Sequence, residues 1–514
     1  MQRNIHSSQS WPIFLFTIGV FMAGLDNGII STALTTINES FNVSPSWGAW
    51  SITLYTLGVA ISVPIIGKFA DRYGRRRLFI IEIFLFGLGS LLVALSPNFI
   101  FLLAARFIQA IGGGGIFIIG SSHVLATLPK EKQGRALGIL GGMHGLSAVA
   151  GPNLGAIILT MTGSWQWLFL INIPIAIFLI IFGFLKIPET KVGYTKPLDG
   201  QGILYLSIGI LAMMFSITNM DSSSFLLGFL DIRVLIPFIF GLGVLFVFLS
   251  HEQEQEARGG DPIISYSLLK TKKFQLTLIL GLLSGGFLAG IIFIPSYVQQ
   301  VLLIPAEKAG FWVTPLALAS GIGAGVGGVL TDKIGAVRTI IFSGAIGVAG
   351  FFLFPLWVDE LWIFVIASIL AGIGLGILLG APLNVLVGES ARRIREGEGS
   401  ALGTLSLIRQ VGLTLFPTLY AGFITSGLMN VEQKVVSVFG EETLDFQDVD
   451  PDDTQEAYLY IIEQIERIKD ETLQIDMLEV VSQAVNIGYD QMFMTSGVLS
   501  LIVIMTGCYL LVLR

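Results

Sequence analysis

Cysteine is nearly missing from this chain: its 514 residues hold one, Cys508, which excludes an intrachain disulfide and leaves redox compartment unread. Histidine is scarce too, four residues with no paired spacing, so no metal site is expected. Charged residues make up only 13%, where a soluble domain carries roughly a quarter. Sequence motifs of several enzyme classes are also wanting. There is no Gly-x-x-x-x-Gly-Lys-Ser/Thr loop, no metalloprotease helix and no nucleophile elbow, so a P-loop ATPase is excluded and neither an enzyme nor a cofactor is expected. Gly323-Ala-Gly325-Val-Gly-Gly328 meets the spacing of a dinucleotide loop, but it lies inside an apolar run with no strand before it and is set aside. No nucleic-acid partner is expected either.

What the chain has is apolar length. Hydrophobic residues reach 53% and mean hydropathy is +0.80. Apolar stretches of about 20 residues, the length that crosses a bilayer as helix, occur near 11–37, 47–66, 78–96, 99–127, 136–161, 165–186, 201–220, 232–250, 274–302, 309–330, 338–357, 361–388, 400–428 and 492–512. The sequence therefore predicts an all-α integral membrane protein of fourteen spans. With the amino terminus inside, 22 of the 29 Lys and Arg residues fall on cytoplasmic segments. That asymmetry predicts a multi-pass protein of the cytoplasmic membrane with both termini cytoplasmic. The first apolar run is too long for a signal-peptide core, and span one is expected to be retained.

The chain is also doubled. Gly67-Lys-Phe-Ala-Asp71-Arg72-Tyr-Gly74-Arg75-Arg76-Arg77 recurs 261 residues later as Gly328-Val-Leu-Thr-Asp332-Lys333-Ile-Gly335-Ala-Val-Arg338. At an offset of 265, Gly134, Ala136, Leu137, Gly138 and Pro152 match Gly399, Ala401, Leu402, Gly403 and Pro417. Two pseudo-symmetric six-helix bundles follow, residues 1–190 and 274–514, separated by two inserted helices and linkers at 191–273. Repeats of this kind mark secondary transporters, whose substrate site lies between the repeats. One hydrophilic segment, 429–490 on the outer side, carries 16 acidic and three basic residues. Asp453 with Glu456 resembles a capping box, and Tyr458, Ile461, Ile462, Ile465, Ile468, Leu473, Ile475 and Leu478 recur at near-helical spacing, so a small helical cap with a loose lead-in at 441–453 is expected.

Few residues could carry chemistry in such a chain. Asp26 lies near the middle of span one, and an ionisable group there is a functional-site hypothesis by default. Arg106 in span four, followed by Gln109, is placed at a compatible depth and needs an anion, for which Asp26 is the candidate. Gly112 to Gly115 allow close helix packing. His144 in span five could titrate near neutrality; its counterpart in span thirteen is Arg409, which either braces Gln410 and carbonyl groups or meets an anionic substrate. Gly151 and Pro152 in span five, with Pro417 in span thirteen, predict paired bends suited to rocking.

These residues resemble the major facilitator superfamily, in its fourteen-span drug:proton antiporter branch of the EmrB/QacA type. Gly67 to Arg77 resembles the superfamily's signature between spans two and three, Leu25-Asp26 the branch's span-one motif, Arg106 to Gly112 its span-four motif, and Gly151-Pro152-Asn153-Leu154-Gly155 the antiporter motif. Trp165 to Pro174 and Pro295-Ser-Tyr297-Val-Gln299-Gln300 add branch-specific similarity. Ala156 stands where the antiporter motif usually has Gly, and Gly28, Ser31 and Thr35 depart from the span-one motif. The resemblance implies a major facilitator fold and alternating access. It also implies a conformational gate of Gly67, Asp71, Gly74 and Arg75, joined by Asp332 of the second copy, and a proton path near Asp26 and Arg106. The expected function is proton-coupled export of amphiphilic, mostly apolar compounds by a monomer among membrane lipids. Trp50, Tyr55, Gln109, Tyr297, Gln300 and Arg409, with His144, are expected to line the cavity. Spans nine to fourteen carry no deep acidic residue, which disfavours dications. The rival expectations are export of an endogenous anionic amphiphile such as a lipid or fatty acid, and a scaffold or sensor whose outer cap binds an envelope partner.

Overall fold

The structure, a computed structural model, describes residues 3–190, 196–220, 225–358, 360–439, 454–468 and 470–513. It is built from helices: α1 (Arg3–Phe41), α2 (Trp50–Tyr73), α3 (Arg75–Ala94), α4 (Phe99–Thr127), α5 (Lys130–Thr162), α6 (Gln166–Lys186), α7 (Gly200–Thr218) and α8 (Ile232–Ala257). The second half has α9 (Lys272–Gln300), α10 (Gly310–Ile334), α11 (Ala336–Trp357), α12 (Leu361–Arg393), α13 (Glu398–Phe439) and α14 (Glu471–Val512). Thirteen are long and apolar enough to cross a membrane, and α5 makes a fourteenth when its two pieces, bent by 41°, count as one span. This is the all-α membrane architecture that the resemblance implies. Inserted helices α7 and α8 pack chiefly on each other, while α7 also touches α2 and α13.

The two tight loops repeated in sequence come out as the same turn. Gly74 ends α2 at φ +97° and Gly335 ends α10 at φ +86°, a region open to glycine and costly for other residues. Each lets one helix stop and the next begin without an intervening loop. Both turns lie on the side of the short basic loops.

The halves meet across α2–α13 and α5–α10. Contact is closest toward the basic-loop side: a Cβ added to Gly67 would fall 2.2 Å from the Gly399 carbonyl, and one on Gly134 would fall 2.5 Å from that of Gly328. Toward the opposite side the halves part. On α5, Gly134, Gly138, Gly142 and Gly145 meet α10, whereas Gly151 and Gly155, farther out, meet α1, and beside them Ile157 is 53% and Met161 80% exposed, so the halves part away from the basic loops and leave a cleft there.

The described part of segment 429–490 is helical, as expected, but not as a unit apart: α13 continues to Phe439, α14 begins at Glu471, and between them, among the described residues, Thr454–Glu466 forms a helix of its own. The Asp470 carboxylate starts α14 by accepting from the Thr472 and Leu473 backbone N–H groups. Tyr458, Ile461 and Ile465 are buried in the cluster that includes Val431, Val435, Met477 and Val481, so the projecting helices share one apolar core. The lead-in 441–453, with Asp453 of the capping box, lies outside the described residues.

At the two matched prolines the helices differ. α5 breaks between Ser147 and Ala150, where Pro152 cannot donate back to the carbonyl at position 148. By contrast α13 runs continuously through Pro417. There the Thr414 and Thr418 hydroxyls donate to the Gln410 and Thr414 carbonyls.

Candidate functional site

Asp26 is fully buried, and its partner is the predicted one. The Arg106 Nη1 donates to Asp26 Oδ2 at 2.6 Å, and Gln109 Nε2 donates to Asp26 Oδ1 at 2.7 Å. Residues 106 and 109 share a face because they are three apart on a helix, so a single turn of α4 supplies both donors. Arg106 Nη1 also reaches Gln109 Oε1 at 2.6 Å, and its Nε donates to the Ser51 carbonyl at 3.3 Å. Gln109 Nε2 continues to Ser90 Oγ at 2.8 Å, which also accepts from Asn172 Nδ2 at 3.2 Å. The Tyr55 ring lies under the guanidinium, 4.2 Å from its carbon to the ring centroid. Asp26, Arg106 and Gln109 are each 0% exposed. An ion pair this dry survives only because hydrogen bonds occupy both carboxylate oxygens.

A second constellation closes the basic-loop side. Asp71 accepts from Gly399 N at 3.1 Å and Ser400 N at 2.9 Å, at the first turn of α13, where the helix dipole favours an anion. Arg75 binds Asp71 at 3.1 Å and Glu398 at 3.4 Å through Nη2, and Ser122 Oγ at 3.0 Å through Nε. The second copy repeats this arrangement with fewer partners. Asp332 accepts from Gly134 N at 2.7 Å and Arg135 N at 2.9 Å near the start of α5. Gly67, Asp71, Gly74, Arg75 and Asp332 thus all stand at or beside the closed interface. Gly151 and Pro152 instead pack α5 on α1, where a Cβ on Gly28 would fall 2.6 Å from the proline ring.

Sequence reading missed part of this closure. Lys68 Nζ pairs with Asp261 at 2.5 Å and Glu396 at 3.6 Å, and Arg72 joins Asp261 at 3.2 Å. Asp261 belongs to the linker after α8, and that linker is seated: Ile263 and Ile264 are buried, and Ser400 Oγ donates to the Ile263 carbonyl at 2.7 Å. An acid before Pro262 in an otherwise polar linker was the only sequence signal. Burial pushes the Glu396 carboxyl above its ordinary value, Lys68 pulls it back, and Asp261 and Asp71 push it up. Glu82 was missed as well. It is 0% exposed inside α3 and accepts from Gly115 N at 3.1 Å, at the break in α4.

The expected cavity residues divide. His144 is exposed although it lies mid-span, so it faces the cleft, and Arg409 of α13 lies near enough for their charges to interact. Trp50 turns outward against Phe215 of α7, with ring centroids 6.0 Å apart. Tyr297 is 1% exposed, walled in by Phe354, Phe364, Tyr489 and Phe493. Gln300 Oε1 accepts from Tyr489 Oη at 2.7 Å. These two are core residues of the second half in this conformation and do not line the cleft. The reason is α14, whose projecting first half brings Tyr489 and Phe493 over α9.

The sequence matches known proteins along most of its length. It is 59% identical over 500 residues to the uncharacterized MFS-type transporter YfiU of Bacillus subtilis (strain 168), covering 97% of this chain and 96% of that protein. To Multidrug resistance protein 3 of the same organism it is 30% identical, covering 82% and 81%. Among solved structures, the human organic anion transporter MFSD10 superposes with a TM-score of 0.57 at 16% identity, over 92% of this chain and 99% of that one. The proton:xylose symporter XylE gives 0.55 at 14%, over 92% and 95%. Both share the fold. The profile of the Major Facilitator Superfamily matches residues 16–417, and with a doubled helical bundle and a mirrored pair of aspartate turns the chain belongs to that family of membrane transporters.

Proposed function

We propose that the protein is a proton-coupled exporter of amphiphilic, mostly apolar compounds that works by alternating access in the cytoplasmic membrane. One observation carries the reading: a carboxylate in mid-span, Asp26, is sealed in an apolar half and held by Arg106 and Gln109. Protonating Asp26 removes the charge that Arg106 pairs with, so that network must rearrange when a proton arrives or leaves. Solvent does not reach it in this state. Proton exchange therefore has to accompany movement of the halves, which is the requirement for coupling. Asp71 and Asp332, each closing on the opposite half, serve as the gate that this movement opens. The similarity to a relative named as a multidrug resistance protein agrees with an amphiphilic substrate.

The test is a pH-jump dye-efflux assay in proteoliposomes. Asp26→Asn should abolish gradient-driven efflux and proton counterflow together while leaving downhill exchange of dye. Unaltered counterflow in that variant would remove Asp26 from the mechanism.

A further inference from the structure

We propose that the cleft holds a receptor for an anionic headgroup, formed by Arg409 of α13 and His144 of α5, so that the transported amphiphile carries a carboxylate, phosphate or sulfonate. The proposal rests on the transport reading above and adds the sign of the substrate's charge.

The two membrane arginines are in opposite situations. Arg106 has Asp26, Gln109 and a carbonyl as partners. Among the described residues Arg409 has one, Ser284 Oγ, which accepts from Nε at 3.1 Å. Both arginines leave a buried Nη2 without a hydrogen-bond partner among those residues, but Arg106 has the Asp26 carboxylate as counterion, whereas no carboxylate among them stands within ion-pair distance of Arg409. A guanidinium stays charged at every physiological pH, and a buried charge without a counterion is costly. The protein has therefore left an anion's place unfilled.

Position makes that place a site. His144 and Arg409 are equivalents in the two halves, 265 residues apart, on the two helices that the doubling matches. Their charges interact, and His144 is exposed in mid-span, so both address the cleft between the halves. An imidazole N–H and a guanidinium fork offer donors and bring no negative charge, which suits an oxyanion. The site also touches the proton machinery. A Cβ on Gly24 would lie 3.7 Å from His144 Nδ1, and Gly24 is within one turn of Asp26 on α1. Apolar walls take the tail, and the cation fixes the head.

Equilibrium binding of dansyl-labelled undecanoate and of its methyl ester to the full chain in phosphatidylcholine nanodiscs tests this. No gradient is involved, so a failure of Asp26 coupling leaves the measurement readable. The carboxylate should bind about tenfold or more tighter than the ester, the worth of charge-assisted hydrogen bonds. Arg409→Gln should level the two, and Arg409→Lys should retain only part of the preference because the fork is lost. Adding phosphatidylglycerol identifies the source. Displacement of the probe assigns the site to bilayer headgroups, and no displacement assigns it to soluble amphiphiles. Equal affinity of acid and ester in the wild type overturns the proposal, as does a preference that survives Arg409→Gln. Should Arg409→Gln fail to fold, an Arg409→Lys preference equal to the wild type's overturns it.

Discussion

Replacing Asp71 by Asn probes the gate most directly, because the change keeps size and shape and removes one charge. In the closed state Asp71 accepts from Gly399 N and Ser400 N and pairs with Arg75 at 3.1 Å. Hydrogen bonds to a charged group are worth about 1.5–3 kcal/mol each, against about 1 kcal/mol for a neutral one. Asn keeps a single acceptor oxygen, and its amide nitrogen faces a second N–H donor. The closed state should lose about 2–4 kcal/mol, which shifts the open-to-closed ratio roughly 30- to 700-fold at about 1.4 kcal/mol per decade. Spin labels on the exposed residues Arg77→Cys and Arg393→Cys, in a Cys508→Ser background, read that ratio as a distance distribution across the basic-loop side. Asp71→Asn should populate a long distance that the parent lacks. Asp332→Asn should do so less, since among the described residues Asp332 has two backbone donors and no cation paired with it, and it is less buried. An unchanged distribution in Asp71→Asn would refute the assignment of these bonds as a latch, and a larger effect from Asp332 would refute the ranking.

Two further outcomes follow from buried charge. Arg106→Leu leaves Asp26 without its cation and should cost about 3–5 kcal/mol, visible as a lowered Tm in detergent; the double variant with Asp26→Asn should recover part of it, and a single variant as stable as the parent refutes the pairing. Glu396 gives a pH dependence: its carboxyl is raised by burial when the gate is closed and returns toward its ordinary value of 4.5 when open to water. The closed state thus holds that proton more tightly, so its contribution to closure is complete below the ordinary value and is lost as pH rises through the raised one. The spin-label distances should show this trend in the parent, and Glu396→Gln should flatten it.

Spans, doubling and the Asp26–Arg106 pair were legible because each leaves a one-dimensional trace: apolar length, repetition, and two charges where none belong. The rest depends on what packs where. The start of α14 was hidden because Glu471, Asp476 and Glu479 lower its hydropathy while Met477, Val481, Ala484 and Val485 continue its buried face. Ile475, expected on that face, is 62% exposed, since a spacing of three or four residues fixes a stripe but not which neighbour covers it. Tyr297 and Gln300 looked like cavity residues because polar and aromatic groups are rare in spans. They are consumed by Tyr489, from a helix whose reach was underestimated. Lys68 sat inside the signature turn, but its partner Asp261 comes from a linker almost two hundred positions away, and only the fold brings them together.

That linker decides how the two extra helices travel. Among the described residues its polar side-chain ties run to Lys68 and Arg72 in the first half and to the Ser400 hydroxyl in the second, where Ile263 and Ile264 also pack with Leu407 and the chain runs on into α9. Breaking one neutral bond is cheaper than stripping a carboxylate from two cations. When the gate parts, the α7–α8 pair should therefore swing as ballast of the first half, drawing its own annulus of lipid along. The rate of switching would then feel bilayer viscosity through two helices that touch neither proton nor cargo.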